Sequence, residues 1–121
     1  MVAFNPNHKI VLDDLLLAHP LVRSGKMFGY PAYFVGKKLC ICLYEQGVGL
    51  KLPERTAKQL LETDKNVAPF QPLGRPKMRE WIQINMDNSE DYRQYRSVFD
   101  ESIQYVSVHG ENQQGNRVAT D

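Results

Sequence analysis

The sequence predicts an α+β fold: a two-layer sandwich with an antiparallel sheet of about four or five strands against helices, in the order α-β-β-β-α-β-α. Three observations carry this expectation. Apolar residues recur at helical spacing near the start of the chain, residues 27–52 alternate in short runs broken by turn-forming residues, and a second alternating run around Trp81 lies between two further helical patterns.

The first helix is expected from about Asn7 to His19, with Ile10, Val11, Leu15, Leu17 and Ala18 among its apolar positions and Pro20 closing it. After Gly25 the period becomes two. Three runs, 27–35, 39–44 and 48–52, are divided by V-G-K-K at 35–38 and Y-E-Q-G at 44–47, the pattern of two hairpins. Pairing across the second turn sets Leu43 opposite Val48, Ile41 opposite Leu50 and Leu39 opposite Leu52, an apolar face for the helices. The other face then carries Cys40 opposite Lys51 and Cys42 opposite Gly49, with Tyr33 and Tyr44 nearby.

Pro53 suits the first turn of a second helix, Glu54 to about Thr63, because its missing N–H costs nothing there; Ala57, Leu60 and Leu61 form the buried stripe. Residues 64–77 hold three prolines and one glycine and are expected as a loop. R-E-W-I-Q-I-N-M then alternates, with Ile82, Ile84 and Met86 inward and Trp81, Gln83 and Asn85 outward. Asn88 or Ser89 caps the last helix, whose Tyr92, Tyr95, Phe99 and Ile103 recur at helical spacing to about Tyr105 or Val106. Residues 1–106 are therefore expected to form one domain and residues 107–121 a disordered tail.

A chain of 121 residues with 42% hydrophobic and 24% charged residues is ordinary globular material. Its apolar runs, such as Leu15 to Ala18, are far too short to span a bilayer, and the N-terminus lacks an apolar signal core, so a cytoplasmic location is expected. The formal net charge of +1 demands neither nucleic acid nor another acidic partner. Cys40 and Cys42, two apart in a strand pattern, read as same-face thiols that do not close a disulfide, and no histidine or second cysteine pair has metal-ligand spacing.

Catalysis finds no purchase in the pattern. His8 lies at the start of a helix, His19 precedes a proline and His109 begins the tail, all reading as exposed or capping residues. Asp13-Asp14 and Glu90-Asp91 are adjacent on helices and diverge, and no glycine-rich phosphate loop is present. The expectation is a non-enzyme with no catalytic residue, no cofactor, no metal and no small-molecule substrate. Positive charge is nevertheless concentrated. Between Arg23 and Leu52 five basic residues stand against one acidic residue, and Arg75, Lys77 and Arg79 follow. Lys26, Tyr33, Tyr44, Lys51, Arg75, Lys77 and Trp81 form the candidate binding face, for a protein partner or a second copy of the chain, or alternatively for nucleic acid.

K-M-F-G-Y at 26–30, G-K-K at 36–38, L-K-L-P at 50–53, A-P-F at 68–70 and G-R-P-K-M at 74–78 before Trp81, in that order, resemble the N-terminal domain of TfoX/Sxy proteins over about Asp14 to Val106. The resemblance implies a small α+β fold of the YjbR and secretion-chaperone-like group. It implies a bacterial regulatory domain without established catalytic residues, in which Lys26, Met27, Phe28 and Gly29 enter the sheet. No counterpart of the second domain carried by the competence regulators in that family is expected within these 121 residues.

Overall fold

The computed structural model describes residues 3–110. Helix α1 (Pro6–Leu16) is followed by strands β1 (Val22–Met27), β2 (Tyr30–Val35), β3 (Lys38–Tyr44) and β4 (Gly47–Lys51). Helix α2 (Glu54–Thr63), strands β5 (Val67–Pro69) and β6 (Trp81–Ile84) and helix α3 (Arg96–Tyr105) complete the order. The strands form one antiparallel sheet, β1-β2-β3-β4-β6-β5, with the helices packed on one face. The fold class is the one the sequence predicts, with six strands in the sheet.

Two strands were hidden in the sequence. The run 27–35 is cut by a turn, so that β1 and β2 pair as a hairpin with Met27 opposite Tyr30. Phe28 and Gly29, expected to lie within a strand, are the two central residues of that turn, with φ of 50° and 87°. Positive φ at both positions is the signature of the tight hairpin turn whose twist matches its strands. β5 is a three-residue strand inside the expected loop, paired with β6 through Val67 and Ile84.

β3 and β4 pair as expected, Ile41 with Leu50 and Leu43 with Val48. The expected alternation fails one residue earlier. Tyr33 faces Ile41 but Phe34 faces Leu39, which leaves Cys40 as the extra residue of a β-bulge. The bulge turns Cys40 toward the helices and Leu39 away from them, so the two cysteines lie on opposite faces rather than the same one. It also carries a cost in backbone pairing. Ser102 of α3, fully buried, donates its hydroxyl to the Cys40 carbonyl at 3.4 Å, and its oxygen stands 3.3 Å from the Cys40 sulfur.

The helical face holds the main core, Leu12 and Leu16 of α1, Ala57 of α2 and Phe99 and Ile103 of α3 against Ile41, Leu43, Leu50, Ile82 and Ile84. α1 is capped by Asn5, whose side chain accepts from the Asn7 N–H, and Pro6 fits its first turn. Its buried stripe is His8, Val11, Leu12 and Leu16, whereas Ile10 and Leu17 are exposed. His8 sets that rotation. The sequence places it as an exposed or capping residue; it is instead buried, with Nδ1 2.6 Å from Ser89 Oγ, Nε2 3.2 Å from the Gln46 carbonyl, and its ring edge-on to Tyr92.

Asn88 caps the last helical segment by accepting from the Glu90 N–H. That segment begins as a 3₁₀ turn, Ser89–Tyr95, before α3, and Val106–Gly110 continues α3 as a π-helical turn. Residues 111–121, expected as part of a disordered tail, lie outside the described residues. Among the described residues, no helix is long and apolar enough to cross a membrane.

Candidate functional site

The second sheet face is not left open. Tyr30, Ala32, Cys42, Tyr44 and Phe70 form a smaller core there, joined by Met27, Phe34, Leu39, Met78 and Trp81. Four aromatic rings run across it as a row. Tyr30 meets Tyr44 at 4.9 Å between centroids, Tyr44 meets Phe70 at 5.7 Å, and Phe70 meets Trp81 at 5.5 Å. Phe70 lies on the backbone of Gly49, where a Cβ would stand 2.7 Å from the ring. That close approach requires glycine.

Trp81 is the half-buried end of the row, at the start of β6 and opposite Lys51 of β4. Beside it opens a cleft of about 190 Å³. Its apolar floor is Leu61 of α2, Pro69 of β5, Met78 and Trp81; Lys58, Lys77 and Arg79 line it with one carboxylate, Glu54. The indole and thioether offer a broad polarizable contact for an apolar side chain. Three cations against one anion favour a carboxylate beside that side chain.

The residues singled out in the sequence separate in space. Lys77 and Trp81 come together in the cleft. Lys51 is adjacent to Trp81 across the strands, but its ammonium lies 3.7 Å from Glu80, which also accepts a hydrogen bond from Tyr105. Arg75 is exposed just beyond the 3₁₀ turn Pro72–Gly74 and does not line the cleft. Tyr44 is buried beneath that turn, its hydroxyl accepting from the Leu73 N–H at 3.0 Å. Tyr33 was expected beside Tyr44; it projects to the helical face, 1% exposed, and donates to Asp13 at 2.5 Å. Lys26 stands on β1, with three strands between it and β6, about 20 Å away at ordinary strand spacing.

Glu54, Lys58, Leu61, Pro69 and Met78 complete the cleft and were not singled out as binding residues, and Arg79 was noted only for its charge. The repeated prolines around Phe70 mark a rigid loop, and an apolar aromatic inside it was the available signal that the loop packs down. No sequence period reports that it packs on Gly49.

The buried thiols and phenols hold their protons. Burial raises the Cys40 thiol to about 11 and the Cys42 thiol to about 12. Burial, reinforced by the bond to Glu80, raises the Tyr105 hydroxyl to about 12. Burial and then the Asp13 carboxylate raise Tyr33 as well, and burial lowers His8. These groups supply no ready nucleophile near neutral pH. Among the described residues, no three His, Cys, Asp or Glu side chains gather in a metal-binding arrangement. Comparisons with family models, curated proteins and solved structures find no match.

Proposed function

We propose that this chain is a non-enzymatic regulatory domain that binds a protein partner through the Trp81 cleft, taking an apolar side chain flanked by carboxylates. The carrying observation is the apolar floor of Leu61, Pro69, Met78 and Trp81 set among Lys58, Lys77 and Arg79 with only Glu54 in opposition. An aromatic anchor site with basic neighbours is the composition that protein contacts favour. The ordered motifs resembling the TfoX N-terminal domain agree with a bacterial regulatory role, and two unpaired buried thiols suit a reducing, cytoplasmic compartment.

Nucleic acid is the less favoured partner. Stacking of successive bases needs several open rings on one face, whereas of the three aromatic residues singled out there Tyr33 and Tyr44 are buried and committed to internal hydrogen bonds and only Trp81 is accessible. The test is affinity capture from the native cell with the intact chain and with Trp81→Ala, each split into nuclease-treated and untreated halves. The same protein should be retained in both halves by the intact chain and lost by the variant. Loss of all partners after nuclease treatment, or retention by Trp81→Ala, would contradict the proposal.

A further inference from the structure

The two edges of the sheet are built differently. β5 is three residues long and ends in Pro69, which has no N–H to offer, so that edge resists a further strand. β1 is six residues long, contains no proline, and among the described residues has a strand on one side only. Its Arg23, Ser24, Gly25 and Lys26 are exposed. Gly25 at mid-strand is covered by the Phe34 ring, which a Cβ there would meet at 2.9 Å, so the strand carries no side chain of its own at that position.

Charge is segregated toward the same edge. Between Leu15 and Tyr44 the chain carries Arg23, Lys26, Lys37 and Lys38 and no acidic residue, although the whole chain is only +1. Lys37 lies in the turn from β2 to β3 and Lys38 begins β3, beside the start of β1, where the Arg23 guanidinium donates to the Gly36 carbonyl at 2.7 Å. At the other end of β1 stands Phe28, 67% exposed in the left-handed backbone region. Asparagine or glycine adopts that conformation at lower cost. An exposed ring on strained backbone adds nothing to the fold and leaves an apolar anchor beside an open edge.

We infer that β1 is a β-augmentation site for an extended acidic segment of a partner protein, paired to the outward backbone groups of Ser24 and Lys26, since the Val22 N–H is taken by the His19 carbonyl, and held at one end by Phe28. Alternate residues of β1 supply N–H and C=O groups to the added strand, while carboxylates on one face of that strand meet Lys26; Arg23, three residues away, projects to the other face and is held by the Gly36 carbonyl. A second copy of this chain is a poor occupant. A two-fold pairing of β1 with its own copy about Ser24 and Gly25 sets Arg23 against Lys26 and brings four cations toward four. This site is independent of the Trp81 cleft.

The test uses the whole chain and two synthetic peptides, acetyl-Leu-Glu-Val-Glu-Val-Glu-Thr-amide and its counterpart with lysine for each glutamate. Amide hydrogen exchange is followed by NMR. The acidic peptide should slow the outward amides of β1 by about tenfold at saturation, the lysine peptide should not, and added salt should weaken the effect. Lys26→Glu should weaken binding by about tenfold. Phe28→Asn should weaken binding by a similar factor while raising the melting temperature by about 4 °C, because it removes the anchor and relieves the backbone. Trp81→Ala should leave this binding unchanged. Equal protection by both peptides or by neither, protection confined to the Trp81 cleft, or full affinity in Phe28→Asn would overturn the inference. So would protection of the same amides by an oligothymidylate in place of the acidic peptide.

Discussion

Gly49 has no side chain where the Phe70 ring needs the space, and the second core depends on that contact. Gly49→Ala is expected to destabilise the fold by about 1–3 kcal/mol, the usual cost of overpacking. Phe70→Ala should cost about 3–5 kcal/mol through the cavity it leaves. Once Phe70 is truncated the clash disappears, so Gly49→Ala should then cost close to nothing; denaturant titration of the four proteins reads that coupling. Additive losses would contradict the packing described. The thiols give a second expectation at this scale. With Cys40 and Cys42 fully buried and their pKa values raised to about 11 and 12, a disulfide reagent at neutral pH should label them only at the rate of opening or unfolding. Gly49 was unreadable in the sequence because its reason lies in a residue distant along the chain, whereas the alternation of Ile41, Leu43, Val48 and Leu50 reports their burial directly.

At the scale of the element, the bulge in β3 and the seat of α1 decide how the layers meet. Ser102→Ala leaves the Cys40 carbonyl without its hydroxyl partner in a dry interior and should cost about 1–3 kcal/mol, measured by chemical denaturation. The seat of α1 predicts a pH dependence. Burial lowers the His8 pKa below its ordinary 6.5, so the unfolded chain protonates this ring more readily than the folded one. The contribution of His8 to stability is therefore fully present above the unfolded value and declines as the pH falls through it toward the folded value. Its limiting slope is about 1.4 kcal/mol per pH unit. In His8→Gln that part of the slope should vanish below about pH 6.5, whatever the change in absolute stability. An unchanged slope would contradict the burial of a neutral imidazole. Helix α2 was legible almost to the residue, because Pro53 and the Ala57 stripe mark it. The bulge was not legible, since a run of small and aliphatic residues tolerates either register, and β1 was masked by its exposed, polar composition.

For the molecule as a whole, the sheet is closed by helices on one face and by the aromatic row on the other, which leaves the Trp81 cleft at one end and the β1 edge at the other. The α+β class and the two central hairpin strands were readable because they are local. The candidate face was legible only in part: Lys77 and Trp81 are neighbours in sequence and in space, but Tyr33 changes face through a bulge and Lys26 belongs to a different edge. Composition reported basic and aromatic residues without reporting which of them the core consumes. Trp81 is the chain's single tryptophan, and it lines the cleft, so its fluorescence reads the central proposal directly. The decisive measurement is a titration with a short peptide bearing one leucine between glutamates, followed by Trp81 emission at low and at physiological salt. A saturable blue shift is expected, weakened by Lys77→Glu and by Met78→Ala, with affinity falling less than about tenfold across that salt range. No shift with the peptide, or a shift produced only by single-stranded oligonucleotide and lost steeply with salt, would contradict it.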